Sequence, residues 1–396
     1  MDIEIRVPTA DEVNGVFDVR AHAFAVDESD RERWLALADP AGMVTAFLGT
    51  EVVGSVNVLG LGQWFGGRAL PMGGLATVVV RPEHRGEGIA ARLLEASIAR
   101  MRERGLWIST LHPATTRVYR AAGWEIGGDL AVHEIPTRSL ERLPRGESES
   151  LRRLTREDLP LVQVCYDAAA ANRSGWMDRK EWWWGVLADE VFADQFFVYG
   201  VDCDDGSDAL AGYVMFSQKP SDGWGYRIHV EEMVTRGPAA SVTLWRLLGT
   251  HGMQVETITV QRGPVDELLL VLPEQDVKQV GNNRWMHRLV DVREAIAGRG
   301  YPPDVTATVH FQLSDRLAPW NEGRWILQVE GGRGELVPGG IGELQITING
   351  LSTLFTGWTS ATALNGAGAL HHATAADRSA LDAIFAGPFP TMVDDF

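Results

Sequence analysis

The chain has 396 residues with 36 basic and 53 acidic side chains, so its formal net charge is −17. Its 45% hydrophobic and 22% charged residues are typical of a globular protein, and the length predicts roughly two to four domains. A strongly acidic chain repels the phosphate backbone, so we expect no nucleic-acid partner, whereas a cationic ligand suits this charge.

Cysteine content and apolar runs exclude further classes. Cys165 and Cys203 are too few for a disulfide framework or a four-thiolate zinc site, and the pair His371–His372 lacks a third ligand at a recognisable spacing, so we expect no metal. No run approaches the roughly 18 apolar residues that span a bilayer. The first residues also lack the apolar core of a signal peptide. We therefore expect no membrane span and a cytoplasmic location.

The first 135 residues predict alternating strands and helices. Period-two alternation predicts a strand at 3–7, and Thr9 is placed to cap the helix that follows. The run at 75–80 is apolar without alternation, as in a central strand covered on both faces. Further strands are predicted at 43–48, 52–59 and 106–111, a hairpin turn at 49–51, and helices at 89–104 and 117–122.

A polar, aperiodic stretch at 145–150 predicts a linker, after which the pattern starts again. A strand at 151–154 precedes a capping box that opens at Thr155. The order repeats that of the first unit and predicts an internal structural duplication, although the second copy has 235–238 (Thr-Arg-Gly-Pro) in place of a Gly-rich turn. Later strands are predicted at 196–201, 210–216, 228–234, 305–313, 323–330 and 342–348, and helices at 241–253, 350–354 and 379–385.

The most informative segment is 78–90, where a buried strand enters a Gly-containing turn that leads directly into a helix. Backbone N–H groups at such a helix N-terminus bind phosphate, and glycines let the backbone approach the ligand closely. The lysine of a Walker loop and the dinucleotide G-x-G-x-x-G pattern are both absent. The pattern present is R-x-x-G-x-A, from Arg85 to Ala90.

This segment resembles motif A of the GNAT acetyltransferases, and 111–124, with Tyr119 and the pair Gly123-Trp124, resembles the end of that domain. With the chain length and the C-terminal Phe396, the sequence resembles the Eis family. The resemblance implies a mixed α/β (α+β) fold in three domains. These are a GNAT domain at 1–147, a second GNAT-like domain without the coenzyme A turn at 148–288, and a sterol-carrier-protein-like domain at 289–396.

The resemblance also implies acetyl-CoA as co-substrate. Two departures from the family pattern reduce the expected charged contacts with the CoA phosphates: Gly86 and Glu87 stand where arginines are common, and Ala114 stands where serine is common. The implied contacts are Val78, Val79, Val80, Arg85, Gly86, Glu87, Gly88, Ile89, Ala90, Ala91, Ala114 and Thr115.

The implied chemistry is direct attack of an amine on the thioester. Backbone N–H groups near 78–80 would stabilise the oxyanion, and Tyr119 would act as general acid toward the departing thiolate. The α-carboxylate of Phe396 would be the general base. Because a terminal carboxyl has a pKa of about 3.3–3.7 in water, burial would have to raise it or the amine would have to arrive neutral.

The expected acceptor is a cationic amine, either an aminoglycoside-like small molecule or a protein lysine. Carboxylates would attract the cation, and aromatic rings would supply apolar or cation–π walls. The candidate substrate-binding residues are Phe24, Asp27, Glu28, Trp34, Asp394 and Asp395.

The sequence leaves two questions open. The chain could instead be a lipid- or ligand-binding protein that carries a vestigial GNAT domain. A homo-oligomer, hexameric or trimeric, is implied only by the resemblance.

Consecutive residues of a helix point about 100° apart, so the tryptophans at 182–184 favour core packing over a stacking platform.

Overall fold

A computed structural model describes residues 3–144, 150–221 and 224–396. The predicted linker lies outside the described residues except for Ser150. The strands are β1 (Ile3–Arg6), β2 (Met43–Leu48), β3 (Glu51–Phe65), β4 (Arg68–Val80), β5 (Ile108–Leu111), β6 (Glu125–Pro136), β7 (Leu151–Arg153), β8 (Met177–Asp178), β9 (Phe196–Asp202), β10 (Leu210–Pro220), β11 (Tyr226–Thr235), β12 (Thr257–Arg262), β13 (Lys278–Leu289), β14 (Ala307–Ser314), β15 (Gly323–Glu330), β16 (Arg333–Pro338), β17 (Leu344–Thr347) and β18 (Leu370–His371).

The helices include each one that the sequence predicts, with shifted ends, and several that it does not predict. They are α1 (Val13–Phe24), α2 (Arg31–Leu37), α3 (Ile89–Glu103), α4 (Thr116–Ala121), α5 (Thr137–Glu141), α6 (Leu159–Ala170), α7 (Glu181–Val191), α8 (Pro238–Gly249), α9 (Leu268–Val271), α10 (Val292–Gly298), α11 (Ile348–Thr356), α12 (Ala361–Gly366) and α13 (Ala375–Ile384). Among the described residues no helix combines the length and apolar character that crossing a membrane requires.

The chain forms two compact units. Unit 1 comprises Met1–Gly127, Trp285–Gly387 and Phe396, and unit 2 comprises Gly128–Arg284 and Pro388–Asp395.

The first sheet of unit 1 has the strand order β1-β2-β3-β4-β5-β13. Alternate residues of β4 pack into two different hydrophobic cores, one on each face of the strand, as the apolar run predicts. Val79 packs with the buried side chains of α1, whereas Val78 and Val80 pack against the core that contains α3. In α3, the predicted apolar stripe is fully buried, from Leu93 to Met101.

Local signals explain the ends of the first elements. Thr9 and Glu12 form the capping box that precedes α1, where a short 3-10 turn occupies the first predicted helical residues. The predicted turn at 49–51 joins β2 to β3. The strands β3 and β4 run much further than predicted because their paired registry continues to Phe65 and Arg68.

A second sheet in unit 1 has the order β16-β15-β14-β17-β18, with α10 to α13 in the same part of the chain. Its strands alternate buried and exposed residues, as in β15, whose Trp325, Leu327 and Val329 are buried.

Unit 2 repeats the architecture of the first sheet, with the strand order β7-β9-β10-β11-β12-β6. The helix α8 follows β11 as α3 follows β4, and it buries Leu244, Trp245 and Leu248. This arrangement agrees with the predicted duplication. In α7, Trp183 and Trp184 are buried, which agrees with the packing interpretation for these two residues, whereas Trp182 is 41% exposed.

Among the buried polar side chains of unit 1 is His287, which is 0% exposed. Its ring stacks on Phe355 with 5.5 Å between centroids, and it meets Phe65 edge-on at 5.6 Å. Neither ring nitrogen has a hydrogen-bond partner within the described chain. Burial lowers the pKa of His287 to about 3, so the imidazole is neutral near pH 7.

This environment predicts acid sensitivity. The folded pKa lies below the unfolded value of about 6.5, so the unfolded chain takes up the proton first, and stability falls as the pH drops from 6.5 toward 3. At pH 5 the loss is roughly 2 kcal/mol. We expect His287→Phe to narrow the difference between urea unfolding free energies at pH 7 and pH 5 by that amount. His22→Phe, at an exposed histidine, is the control. If both substitutions narrow the difference between the unfolding free energies at pH 7 and pH 5 equally, the acid sensitivity does not come from His287.

Candidate active site

The site begins where two parallel strands of unit 1 separate. Pairing between β4 and β5 runs from Met72 opposite Ile108 to Gly74 opposite Thr110. Beyond Gly74, β4 continues to Val80, whereas β5 ends at Leu111. The β5-facing backbone edge of residues 75–80 is therefore open to a ligand. This open region between β4 and β5 is the unit 1 wedge.

A β-bulge distorts β4 inside this wedge. Ser55 pairs with Val79 and Asn57 pairs with Ala76, so β4 carries one extra residue at 77–78. Thr77 has φ = 54°, a left-handed conformation that a β-branched residue rarely adopts. Bulges redirect backbone groups out of the ladder, and such strain clusters at functional sites.

The turn after β4 leads to an uncapped helix N-terminus. Gly86 and Gly88 have φ = 87° and 79°, and a Cβ at either would meet no atom within 4 Å, so the turn is open on its outer side. No side chain caps α3. The first intrahelical bond runs from Arg92 N–H to Gly88 O, so the preceding N–H groups at 89–91 point forward without helical acceptors.

These features fit the diphosphate of acetyl-CoA, because N–H groups and the helix dipole both favour an anion there. Ile89 is buried in the core, so it would contribute its backbone N–H alone, whereas Gly86 to Gly88 and Ala91 are exposed. Glu87 lies 3.3 Å from His84 Nδ1.

Arg85 and Arg81 lie close together in the chain but have different bonding partners. Arg85 is exposed, and its Nε donates to the Val80 carbonyl at 3.4 Å. Arg81 instead pairs with Glu51 and lies 3.8 Å from Glu83. The charge of Arg81 is thus compensated by Glu51 of β3 and by Glu83, which leaves Arg85 as the better candidate for a phosphate.

The segment after β5 supplies the next candidates. Ala114 and Thr115 are exposed and precede α4, where Thr115 is the N-cap residue without a side-chain cap bond. Since β4 and β5 are parallel, their carboxyl ends lie at the same edge of the sheet. Tyr119 in α4 is 7% exposed, and burial raises the pKa of its phenol, so it stays protonated at neutral pH.

The ring of Phe396 lies where the wedge opens. It meets His112 edge-on, with 6.0 Å between ring centroids. A Cβ on Gly74 would lie 2.7 Å from a carbon of this ring. Gly74 is therefore the residue that permits Phe396 to approach the last paired position of β4.

Four substrate candidates of unit 1 lie at the end of α1 or after it. Phe24 is 54% exposed, and Trp34 packs on Phe17 with 5.6 Å between centroids. The Asp27 carboxylate accepts from Ser29 N–H, which lowers its pKa. Arg31 donates to Glu28 at 3.0 Å and lowers the pKa of that carboxyl, so both acids stay ionised but Glu28 is already paired.

Asp394 does not present an open carboxylate, contrary to the expectation of an acidic patch at 394–395. It lies in unit 2, is 6% exposed, and accepts from Arg179 Nε at 2.8 Å. Its charge is compensated because a buried carboxylate requires a partner. Asp395 is exposed and stays a candidate.

The sequence did not predict the bulge at Thr77, the contact of the Phe396 ring with Gly74 or the burial of Asp394. No local signal marks the first, since threonine does not indicate positive φ. The other two depend on contacts between residues far apart in the sequence. Among the described residues, no group of three His, Cys, Asp or Glu side chains could hold a metal.

Family models match the chain in three places. A GNAT acetyltransferase domain matches residues 4–127, another matches 175–293, and a sterol carrier protein domain matches 292–393. The crystal structure of a GCN5-related N-acetyltransferase from Anabaena variabilis superposes with a TM-score of 0.91 at 31% identity, covering 100% of both chains.

Sequence relatives agree over the full length. N-acetyltransferase Eis from Mycobacterium bovis is 26% identical over 99% of both proteins. The chain belongs to the Eis family of GNAT acetyltransferases. An uncharacterized N-acetyltransferase from Streptomyces avermitilis is 25% identical over 96% of this chain and 98% of the relative. Eis1 from Mycobacterium abscessus shares the fold, with a TM-score of 0.83 at 22% identity and 100% of both chains covered.

This Eis-family protein is therefore an acyltransferase with two GNAT domains followed by a sterol-carrier-protein-like domain, as the sequence predicted. GNAT acetyltransferases use acetyl-CoA as co-substrate. The alternative of a binding protein with a vestigial GNAT domain finds no support in these relatives. The domain boundaries stay a prediction.

The difference between Arg85 and Arg81 gives a test of the turn. Removing one charge-assisted phosphate contact weakens binding by roughly 1.5 kcal/mol, or about 10-fold. We expect Arg85→Gln to raise the Kd for CoA about 10-fold in isothermal titration calorimetry, whereas the paired Arg81→Gln changes it little. Equal effects of both substitutions would show that Arg85 has no special contact.

Proposed function

We propose that this enzyme transfers the acetyl group of acetyl-CoA to a primary amine of a cationic acceptor, either an aminoglycoside-like molecule or a lysine side chain. The observation that carries the proposal is the unit 1 wedge, which ends at an uncapped helix N-terminus. The helix α4 that follows β5 supplies a buried, protonated tyrosine. The contacts proposed for acetyl-CoA are those implied by the resemblance, namely residues 78–80, residues 85–91, Ala114 and Thr115.

In the proposed reaction the amine nitrogen attacks the thioester carbonyl carbon directly. The N–C bond forms, the C–S bond breaks, and negative charge passes through the carbonyl oxygen to the thiolate. Backbone N–H groups of 78–80, redirected by the bulge, are the proposed oxyanion donors. Preorganised donors suit this role because they need no rearrangement as the charge develops.

Tyr119 is the proposed general acid. Its hydroxyl would donate a hydrogen bond to the departing sulfur and pass its proton to the thiolate, then regain a proton from solvent. Its raised pKa keeps the donor form present throughout the neutral and mildly alkaline range. Ionisation of Tyr119 therefore imposes no loss of activity between pH 6 and pH 9.

The α-carboxylate of Phe396 is the proposed acceptor of the proton that the amine loses. The contact of its ring with Gly74 supports this proposal because it brings the terminal residue to the opening of the wedge. A weak base suffices where the amine binds in its neutral form, so the rate should rise with pH as more of the amine is deprotonated.

Asp27 in unit 1 and Asp395 in unit 2 are each proposed as a candidate for attracting the cationic acceptor, because both are exposed to solvent. Phe24 would offer an exposed apolar face three positions before Asp27 in the chain. A cytoplasmic location and a hexameric or trimeric assembly stay predictions.

The proposal predicts a specific defect in Tyr119→Phe. A positioned general acid contributes about 10²–10⁴-fold, so kcat should fall at least about 100-fold while KM for acetyl-CoA changes little. The assay is release of CoA thiol with a panel of aminoglycosides and a lysine peptide.

Tyr226→Phe is the matched control, because its hydroxyl contacts His251 in unit 2 and has no proposed catalytic role. A wild-type kcat in Tyr119→Phe would remove Tyr119 from the mechanism. Absence of transfer to every amine of the panel would contradict the acceptor class.

A further inference from the structure

Unit 1 buries an arginine, Arg299, in its interior. Arg299 directly follows α10 and is 1% exposed. An arginine side chain is almost never fully buried unless a partner compensates its charge. A charge in a protein interior otherwise carries a large desolvation cost. The partner that balances Arg299 is therefore a structural requirement of unit 1.

The backbone on both sides of this side chain is fixed. Arg299 N–H donates to the Ala295 carbonyl at 3.1 Å, and Gly300 N–H donates to the Phe65 carbonyl at 3.2 Å. A Cβ on Gly300 would lie 1.8 Å from the Gly66 carbonyl oxygen, so two segments of the chain are in direct contact there. The Arg299 side chain is therefore held in the interior and does not reach solvent by a small backbone shift.

Aromatic rings surround the guanidinium group of Arg299. Its central carbon lies 5.0 Å from the centroid of the Phe385 ring, 5.2 Å from that of Phe355 and 5.4 Å from that of Tyr301. Cation–π attraction offsets part of the cost of burial. A neutral ring carries no net charge, however, so the positive charge is still not neutralised.

Most of the donors of Arg299 have no acceptor. The N–H groups on Nε and Nη1 are buried and lack a hydrogen-bond partner within the part of the chain that the structure describes. Nη2 donates to the Phe385 carbonyl at 3.4 Å, which is longer than the usual N–H···O distance. Buried donors of a charged group are costly to leave unbonded, so Nε and Nη1 favour an acceptor beside them.

Arg288 provides an internal comparison, because it is buried in the same unit but has a counter-charge. It is 0% exposed, and its Nη2 donates to both oxygens of Asp315, at 2.8 and 2.9 Å. Its Nε and Nη1 also lack partners among the described residues, so the two arginines differ in the counter-charge alone. Burial lowers the pKa of both side chains, and Asp315 opposes this at Arg288, whereas no carboxylate of the described residues does so at Arg299.

Tyr301 does not supply the negative charge that Arg299 requires. Its hydroxyl donates to the Ile296 carbonyl at 2.8 Å, and burial raises the pKa of the phenol above its usual value. Tyr301 therefore stays protonated near pH 7. Burial lowers the pKa of Arg299 to about 10, so Arg299 is still a cation at that pH.

We propose that Arg299 binds a halide ion, with chloride as the natural occupant, through the N–H groups on its Nε and Nη1 in the interior of unit 1. A halide carries one negative charge and accepts hydrogen bonds from any direction, so one guanidinium group neutralises it. The attraction between the two charges is strong because the surroundings are apolar.

The surroundings favour a halide over an oxyanion. A carboxylate or a phosphate would bring further oxygens that require donors. The rings of Phe355 and Phe385 have no donor, and the Tyr301 hydroxyl already donates to Ile296. This proposal does not depend on the proposed acetyl transfer.

Anomalous scattering from bromide tests the site directly. Crystals of the full-length protein grown in sodium bromide should show an anomalous difference peak within roughly 3.5 Å of Nε or Nη1 of Arg299. An ordered Arg299 side chain with no anomalous peak beside it would overturn the proposal.

Thermal unfolding tests the same site in solution. A ligand that binds only the folded chain stabilises it with the logarithm of the ligand concentration. When chloride replaces the much larger gluconate ion at constant ionic strength, Tm should rise by roughly 2 °C for each tenfold increase in chloride above its Kd. An equal Tm in the two salts at every concentration would contradict chloride binding.

Arg299→Met assigns the chloride effect to this side chain. The methionine is apolar and of similar length, so it should be accommodated among the rings while Tm loses its dependence on chloride. Arg293→Met is the control, because it removes an exposed arginine of α10 and should keep the wild-type dependence. An undiminished chloride dependence in Arg299→Met would show that chloride acts elsewhere, and if this variant fails to fold, the bromide measurement decides.

Discussion

The separation of β4 from β5 after Gly74 is the constraint on which the rest of the site depends. Parallel strands that stay paired present no free backbone to a ligand, whereas strands that part expose a row of N–H and C=O groups. The bulge at Thr77 and the turn that carries Arg85 come directly after this point in the chain. The Phe396 ring can lie there because Gly74 has no side chain to collide with it.

Unit 2 contains the same kind of strand separation, because β11 continues to Thr235 beyond its last pair with β12 at Val230. There, however, buried charges border the separation. In unit 1 the glycines of the turn leave space around α3, and the residues near the N-terminus of that helix carry no capping side chain. In unit 2, Glu232 and Arg179 form a buried pair beside β11 and hold Asp394. Partnered charges inside a protein are costly to separate. We therefore propose that the separation in unit 1 binds acetyl-CoA, whereas the buried pair beside β11 makes the separation in unit 2 unsuited to that role.

Much of this arrangement could be predicted from the sequence because it is local. The apolar run ending at Val80, the glycines after Arg85 and the stripe of α3 each have a periodicity or residue type that indicates its structure. The duplication also followed from the repeated order of strand, cap and helix. The observed ends of β3 and β4 differ because strand length depends on pairing between strands, which single-sequence periodicity does not report.

The remaining features depend on contacts between distant residues. The sequence predicts an exposed acid at Asp394 beside the terminal residue, because its partner Arg179 lies 215 positions earlier in the chain. The role of Gly74 likewise depends on Phe396. A positive φ at Thr77 has no signal in the residue type, because bulge geometry arises from the register of β3 against β4.

Hydrogen–deuterium exchange with and without acetyl-CoA tests the central claim that the two strand separations differ in function. We predict slower exchange at 76–91 on addition of acetyl-CoA, with no change at 231–241, where buried side chains already border the strand separation of unit 2. Protection at 231–241, or no protection at 76–91, would contradict it.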